Sequence, residues 1–237
     1  MLEINNYSKI YSGKKVVENL NLKVEDGEIF GFIGHNGAGK TTTIKSVVGI
    51  LEFEEGDIII NSKSIKKYPM QCKKELAYIP DNPDIYENLT GLQYLNFIAD
   101  IFVIEEEKRK YNIEKYSKSF EIYEDLQNVI SSYSHGMKQK LVIISALIHE
   151  PKLLVLDEPF VGLDPKSSFI LKEYMKDLTK NGCSIFFSSH VLEVVEKLCD
   201  KVGIIKNGKL ITSGTVEEVK GNESLEEVFL ELINDEQ

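Results

Sequence analysis

The sequence predicts an α/β protein whose core is a mostly parallel β-sheet flanked by helices. The second half of the chain alternates helical segments with short apolar strands, and this alternation is typical of parallel strands joined by crossover helices. A chain of 237 residues with 42% hydrophobic content can also bury a sizeable core, as one large domain or as a domain with a subdomain. The chain contains no internal repeat and no low-complexity linker.

The region from Met1 to about Tyr78 has the pattern of short strands. Ser12–Gly13 and Asp26–Gly27 mark turns between apolar runs. The runs that we interpret as strands are LEINNYSKIY, VVENLNLKV, EIFGFIG and GDIIINSKSI. This part of the chain therefore contributes strands rather than long helices.

The region from about residue 90 to residue 133 is predicted to form a helical subdomain. It lacks glycine and proline after Gly91, and its apolar residues recur at helical spacing. The charged run 105–110 within it is expected to be a solvated helix face or loop. That run contains Arg109, the only arginine of the chain.

The region after Ser134 is predicted to alternate between helix and buried strand. The predicted helices are HGMKQKLVIISALIHE (closed by Pro151), SSFILKEYMKDLTKNG and VLEVVEKLCD, and the buried strands are KLLVLDE and CSIFFSSH. A hairpin, KVGIIKNGKLITSG, and a terminal acidic helix, SLEEVFLELINDEQ, follow. We expect a single domain whose core comprises residues 1–89 and 134–215, with a helical tail over 216–237.

Composition limits the classes of partner. The formal net charge of −10 disfavours binding driven by counterion release, so no nucleic-acid partner is expected. Three scattered cysteines without metal spacing predict a reduced, cytoplasmic protein. The first residues do not have the pattern of a signal peptide, and the longest apolar run, 141–148, is too short to span a bilayer. Any role at a membrane would therefore need a partner protein.

A phosphate-binding loop is predicted over residues 34–42. Its sequence, GHNGAGKTT, follows an apolar strand, opens a helix and matches G-x-x-x-x-G-K-[ST] in the required context. Backbone N–H groups would surround a phosphate, Lys40 would reach the β- and γ-phosphates, and the Thr41 hydroxyl would bind Mg²⁺. A chance match is expected in about one chain in a hundred of this length, and the strand and helix around the loop reduce those odds. The candidate nucleotide-binding residues are Gly34, His35, Asn36, Gly37, Ala38, Gly39, Lys40, Thr41 and Thr42.

Two acidic residues are candidates for the second half of this site. Asp157 lies at the carboxyl end of the predicted buried strand, where an acidic residue can hold the Mg²⁺ shell. Glu158 follows and is placed to polarise an attacking water. His190 ends the next strand and is a candidate for γ-phosphate contact. The alternatives are a strand that ends in two solvated acids and a histidine that merely closes a strand.

Together these motifs resemble those of an ABC-type ATPase, the nucleotide-binding subunit of ABC transporters. GHNGAGKTT, YSHGMKQK, LLVLDEP, GLDP and SSH occur in the order and approximate spacing of that family, and the resemblance covers about residues 2–215. It implies a P-loop NTPase core with an N-terminal antiparallel β subdomain and an inserted α-helical subdomain. It also implies ATP and Mg²⁺, and a homodimer or a pair with a paralogous cassette. The expected partner is a membrane-spanning subunit, which would hold the chain on the cytoplasmic face of the cell membrane.

The segment matching 133–137 contacts, in the family, the γ-phosphate of ATP bound to the other copy. Phosphoryl transfer needs positive potential there, and Arg109 lies in a charge run unsuited to an arginine finger. The free N–H groups of the helix after Ser134, with its hydroxyl, could supply that potential, and Gly136 would permit close approach. The alternative is a simple helix N-cap, and both readings can hold.

Four positions depart from the family pattern or need comment. His135 replaces a glycine, so it must avoid backbone angles that only glycine tolerates, and Met137 replaces a glutamine. These forms resemble bacterial export-type subunits and favour export. Asp81 replaces a glutamine that touches Mg²⁺; it could hold a metal-bound water, or it could be only a turn residue. Tyr11 lies where the family stacks an aromatic residue on adenine, with ordinary packing as the alternative.

The resemblance also implies a groove near residues 81–99 that receives a short helix of the membrane subunit. Ile85, Tyr86 and Leu89 are candidates for its lining, with core packing as the alternative for each. A small-molecule kinase is disfavoured because it clamps phosphates with several arginines, and a GTPase because no Asn-Lys pair occurs. The remaining rival is a non-transport regulatory ABC-type ATPase with weak turnover.

Overall fold

The computed structural model of the protein describes residues 1–234. The strands are β1 (Leu2–Tyr11), β2 (Lys14–Val24), β3 (Ile29–Ile33), β4 (Glu55–Ile60), β5 (Lys63–Ser64), β6 (Leu76–Ile79), β7 (Leu153–Asp157), β8 (Ser184–Ser189), β9 (Lys201–Lys206) and β10 (Lys209–Thr215). The helices are α1 (Lys40–Val47), α2 (Pro69–Glu75), α3 (Gly91–Ile101), α4 (Glu106–Ser119), α5 (His135–Leu147), α6 (Pro165–Lys180), α7 (Leu192–Leu198), α8 (Val216–Lys220) and α9 (Leu225–Asn234).

The core is a six-stranded sheet in the order β10-β9-β3-β8-β7-β6. The pairs from β9 to β6 are all parallel, whereas β10 pairs antiparallel with β9 as the predicted hairpin. The prediction of a mostly parallel core is therefore confirmed. Because parallel strands end at the same edge, the segments that follow β3, β6, β7 and β8 lie together at the carboxyl edge of this sheet.

The predicted N-terminal antiparallel β subdomain is a second sheet of four strands in the order β2-β1-β4-β5. This sheet packs on the α1 side of the core sheet. Its apolar residues share one buried cluster with Phe30, Phe32 and Phe186. The alternate residues of β3 and β8, Ile29, Ile33, Ile185 and Phe187, belong to the cluster on the other face. These two strands are apolar throughout because both faces of the sheet are covered.

The helical part lies between β6 and α5 and contains α3, α4 and two short 3₁₀ turns. Helix α3 begins at a capping box in which Thr90 and Gln93 satisfy each other's backbone N–H groups. The charged run 105–110 forms the start of α4, and Arg109 pairs there with Asp100 at 2.5 Å. The run is thus a helix face, as one of its two interpretations required.

Two short helices were not expected. Helix α2 is only seven residues long, with Pro69 in its first turn, so the sequence offered too little helical periodicity to show it. Helix α8 separates the hairpin from the terminal helix α9. The end of the predicted acidic tail, residues 235–237, lies outside the described residues. No helix among residues 1–234 has both the length and the apolar character needed to cross a membrane.

Candidate active site

The predicted phosphate loop connects the carboxyl end of β3 to the start of α1. Gly39 caps this helix with φ of 110°, a left-handed conformation that side chains other than glycine rarely adopt. The Lys40 ammonium is buried and donates to the Gly34 carbonyl at 2.7 Å, with the His35 carbonyl at 3.4 Å. Burial lowers the pKa of Lys40, while Glu158 and Asp157 oppose that shift. The lysine is thus held inside the loop beside two acids.

A turn distant in sequence also holds this loop. The Gly208 N–H, in the β9–β10 turn, donates to the Ala38 carbonyl at 3.0 Å, and the Gly208 carbonyl accepts from Glu18 N–H at 2.9 Å. Gly208 has φ of 81°, and a Cβ there would lie 2.3 Å from the Val16 carbonyl oxygen. The sequence offered only the Asn-Gly signature of a hairpin turn, so the connection between loop and β subdomain was missed.

Asp157 has the features of a metal ligand. It is fully buried, and its Oδ1 accepts from the Ser188 hydroxyl at 2.5 Å. Burial raises its pKa, Asp81 and Glu158 add to that rise, and the Ser188 and Thr41 hydroxyls oppose it. Within residues 1–234, Asp157 Oδ2 has no hydrogen-bond partner. An unpartnered buried carboxylate oxygen needs a ligand, and Mg²⁺ prefers oxygen ligands of this kind, so these residues fit the metal.

Glu158 contacts two other predicted side chains, those of Lys40 and His190, in one cluster. Its Oε2 accepts from the His190 backbone N–H at 3.2 Å and from the ring Nδ1–H at 2.8 Å, while its Oε1 lies 3.8 Å from Lys40 Nζ. Its backbone has φ of 49° and its N–H donates to Ser188 Oγ at 3.1 Å. Ser188 was not predicted, and its only sequence signal is its place in the SSH run. The acid, the lysine and the histidine therefore face one another.

Ser134 and Gly136 lie at the start of α5. The Ser134 hydroxyl accepts from Met137 N–H at 3.3 Å, so the predicted N-cap is present. His135 is helical and does not have positive φ. It therefore avoids the backbone angles that only glycine tolerates, as we expected for a histidine in place of the glycine of the family pattern. Among residues 1–234, no hydrogen bond or ion pair joins Ser134 or Gly136 to the phosphate loop or to Glu158.

The start of α5 instead contacts the GLDP segment, residues 162–165, which leads into α6. The His135 ring packs so closely on Gly162 that a Cβ at Gly162 would lie 2.9 Å from its Nε2. Lys140 pairs with Asp164 at 2.8 Å and is the leading cause of the depressed pKa of that carboxyl. Asp164 also caps α6 by accepting from Ser167 N–H at 2.8 Å. The N-terminal half of α5 and the GLDP segment are therefore packed against each other, a contact that the sequence did not indicate.

Asp81 and Tyr11 occupy exposed positions. Asp81 follows β6, and its Oδ1 accepts from Asn82 N–H at 2.9 Å, so the proposed turn role is present. Ile79 of β6 pairs with Leu156 of β7, so Asp81 follows β6 beside the strand end that carries Asp157, and its charge helps to raise the pKa of Asp157. Tyr11 ends β1 with 44% of its surface exposed, and the Lys9 ammonium lies 5.1 Å from its ring centroid. Tyr11 is therefore not a core residue.

A cleft of about 640 Å³ lies between the core and the helical part, close to Asp81. Ile85 lines it, whereas Leu89 packs into the core and Tyr86 is exposed, with its ring against Phe97 at 5.6 Å. The other apolar and aromatic residues of its wall are Val48, Ile50, Leu76, Ala77, Tyr78, Pro80, Tyr94, Ile98, Phe102, Val142 and Ala146. His149, also in the wall, stacks on Phe102 at 3.7 Å, and burial lowers its pKa to about 4.

Comparison with known proteins identifies the family. The family model described as ABC transporter matches residues 17–161. The ABC-type transporter ATP-binding protein EcsA of Bacillus subtilis (strain 168) is 32% identical, over 100% of this chain and 98% of its own. A solved ATP-binding subunit of an ABC transporter is 34% identical, with a TM-score of 0.95 over 98% of this chain and 99% of the other.

A second solved structure shares the fold at lower identity. It is a dimeric, post-hydrolysis form of the ATP-binding cassette MJ0796 with bound ADP and phosphate, with a TM-score of 0.83 and 19% identity over 91% of this chain and 99% of the other. The match of the family model over most of the chain agrees with the phosphate loop and with the acids at the edge of the sheet. The chain therefore belongs to the ABC transporter family as one of its ATP-binding proteins, an ABC-type ATPase.

Proposed function

We propose that the chain dimerises around two Mg·ATP and powers translocation by a separate membrane-spanning subunit, in the direction of export. The observation that carries the proposal is the position of Glu158 between Lys40 and His190 at the phosphate loop. The export direction rests on the YSHGM variant of the family motif.

Each side chain of this cluster has a distinct chemical role in the proposal. The loop N–H groups and Lys40 bind the phosphates, and the N-terminus of α1 adds a favourable dipole. Glu158 accepts a proton from the attacking water, and His190 orients that carboxylate through its Nδ1–H. Thr41, Asp157 and Asp81 would hold Mg²⁺, which neutralises charge on the phosphate oxygens when it is bound.

The dimer follows from what one chain lacks near this cluster. Ser134 caps the N-terminus of α5 through Met137 N–H, and Gly136 lies in the first turn, where backbone N–H groups have no partner within the helix. In one chain this turn faces Gly162 of the GLDP segment and not the phosphate loop. In the proposed dimer, these groups face the γ-phosphate bound by the other chain, which is an identical copy or a paralogous cassette. ATP then stabilises the closed pair, and hydrolysis removes the contacts that favour closure.

The cleft beside Asp81 is the proposed docking site for the membrane-spanning subunit, which would hold the chain on the cytoplasmic face of the membrane. Its wall is largely apolar, with Lys45, Lys73 and Asp84 among its charged residues. Tyr86 and Phe97, the sequence neighbours of the wall residues Ile85 and Ile98, are exposed, and their rings contact each other at 5.6 Å. Exposed apolar surface of this kind is typical of an interaction site.

Mixing two inactive variants tests the composite site. Glu158→Gln lacks the base but keeps the N-terminus of α5 intact. The double variant Ser134→Ala/Gly136→Val alters the N-terminus of α5 but keeps the base. Each should hydrolyse little ATP alone. A mixed dimer contains one site with both elements intact, so hydrolysis should reappear when the two variants are mixed. In a separate measurement, the hydrolysis rate per molecule of wild-type protein should fall on dilution, because the dimer dissociates. Hydrolysis that is independent of concentration, with no recovery on mixing, would exclude the proposal.

The second candidate is a regulatory ABC-type ATPase without transport and with weak turnover. Asp81, in place of the glutamine of the family pattern, is the observation that favours it. Affinity purification from membranes distinguishes the two candidates. A polytopic membrane protein should be recovered with the wild type and lost with Ile98→Glu in the cleft. Recovery that is equal for both would exclude the proposed docking site.

A further inference from the structure

The end of β1, which carries Tyr11, is held from outside its own strand pair. The pairing of β1 with β2 shifts register on both sides of Lys9, so the ladder is irregular just before Tyr11. The ring itself is 44% exposed and borders the Ser12–Gly13 turn. Pairing with Lys14 places the backbone of Tyr11 but not its exposed ring, so another contact is needed to set the orientation of the ring.

Glu54, which precedes β4, supplies that contact with both carboxylate oxygens. Its Oε1 accepts from Lys9 Nζ at 2.6 Å, and its Oε2 accepts from the Ile10 backbone N–H at 2.9 Å. One carboxylate thus binds the two residues immediately before Tyr11. Both bonds lower the pKa of Glu54, with the Lys9 bond the leading cause, so the group is ionised at neutral pH.

Lys9 transmits this restraint to the ring. The Lys9 side chain is 9% exposed, against 43% for that of Glu54, so its buried ammonium needs the carboxylate as a counter-charge. Lys9 Nζ also lies 5.1 Å from the Tyr11 ring centroid, within the range of a cation–π contact. The ion pair therefore fixes the cation against which the ring rests.

The same unit adjoins the phosphate loop. Lys9 lies opposite Val17 in the β1–β2 pairing, and a Cβ on Gly39 would come within 2.9 Å of the Val17 side chain. The strand that carries Tyr11 is therefore one strand away from the cap of α1. In the proposed stacking role, the base of a nucleotide held by the loop would lie on this side of the site.

We propose that Glu54 and Lys9 are positioning residues that hold the Tyr11 ring for stacking on the base of ATP. The inference rests on the proposed stacking role of Tyr11 and adds the residues that orient it. Neither residue contacts the phosphates in this arrangement. Their loss should therefore weaken binding of ATP but not of a ligand that lacks a base.

The experiment compares ATP with inorganic tripolyphosphate, both measured by calorimetry on the full chain. Glu54→Gln keeps an acceptor for Ile10 N–H but loses the ion pair, so it should raise the Kd of ATP about tenfold, within the worth of a base–aromatic stack. The Kd of tripolyphosphate should not change. Glu55→Gln is the matched control, because Glu55 is the next residue and pairs with the exposed Lys15 at 3.1 Å.

A double-mutant cycle separates positioning from general damage. In a Tyr11→Ala background, Glu54→Gln should have no further effect on ATP binding, because the ring that it orients is gone. Equal weakening of ATP and tripolyphosphate, or full additivity with Tyr11→Ala, would overturn the inference. If Glu54→Gln did not fold, Lys9→Met would be put through the same cycle. If Tyr11→Ala alone bound ATP normally, the stacking role itself would be wrong.

Discussion

Ser188 Oγ donates to Asp157 Oδ1 at 2.5 Å and accepts the backbone N–H of Glu158 at 3.1 Å, so one hydroxyl on β8 contacts both acidic residues at the end of β7. Asp157 and Ser188 lie directly opposite each other in the parallel pairing of these strands. The pairing therefore sets where the metal candidate and the base candidate lie relative to each other.

Ser188→Ala should lower both stability and ATP hydrolysis. The change leaves buried Asp157 Oδ1 without a donor, and an unsatisfied buried polar group costs about 1–3 kcal/mol. Urea unfolding and phosphate release measure the two effects. Ser117→Ala is the control, because that buried hydroxyl donates to Ile113 O of its own helix. Equal, small losses in both variants would show that Ser188 does not support the acids.

Glu158→Gln should reduce the rate of hydrolysis by about 10²–10⁴-fold, the usual worth of a general base, with ATP binding retained. Glutamine cannot take the proton of the attacking water, yet it still accepts from His190. Phosphate release and ATP-dependent dimerisation on a sizing column measure the outcome. Glu193→Gln, which loses an exposed pair with Lys197, is the control and should behave as wild type. Turnover by Glu158→Gln at the wild-type rate would assign the base elsewhere.

Asp81→Ala should raise the Mg²⁺ concentration needed for half-maximal hydrolysis, because a carboxylate near Asp157 is lost. A Mg²⁺ titration of phosphate release measures the shift. Asp81→Asn is the comparison, since it keeps an acceptor for Asn82 N–H and hence the turn. If both variants kept wild-type turnover and metal dependence, Asp81 would be only a turn residue.

Gly208→Ala should destabilise the protein and weaken ATP binding. The new Cβ would lie 2.3 Å from the Val16 carbonyl oxygen, at a positive φ that costs about 1–3 kcal/mol for other residues. The backbone of the β9–β10 turn would have to move to relieve this clash, and that movement would strain the hydrogen bond from Gly208 N–H to the Ala38 carbonyl. Gly182→Ala is the matched control, because φ there is 86° and nothing lies within 4 Å of its Cβ. Thermal unfolding measures the loss of stability and calorimetry measures ATP binding. Only Gly208→Ala should lose affinity for ATP.

His149 should make stability depend on pH between about 6.5 and about 4. In this window the unfolded chain binds a proton that the folded chain excludes, so the free energy of unfolding falls as pH falls. The contribution of neutral His149 to the free energy of unfolding is up to about 3 kcal/mol. It is fully present above the pKa that His149 has in the unfolded chain. His149→Phe keeps a ring against Phe102 but cannot titrate. Urea unfolding at pH 7 and pH 5 should show a smaller loss for the variant, and equal losses would contradict the assignment.

The sequence predicted the side chains at the sheet edge better than their supports. Lys40, Asp157, Glu158 and His190 each carry a local signal, either a motif or a place at the end of an apolar run. Their roles remain predictions, but three of them meet at Glu158. Ser188 has no such signal, because a serine in a strand is ordinary until its neighbour is known.

The sequence by itself determined the α/β class, the phosphate loop, the helix cap at Ser134 and the family, because each depends on short local patterns or on their order along the chain. Tertiary structure alone decided that Gly208 secures Ala38 and that Glu54 holds Lys9 beside Tyr11. It also placed the N-terminus of α5 against Gly162. The physical reason is the order of the strands: β3 lies between β8 and β9, and β1 lies between β2 and β4. Strand order in a sheet is set by the packing of the whole chain, and no local pattern contains it.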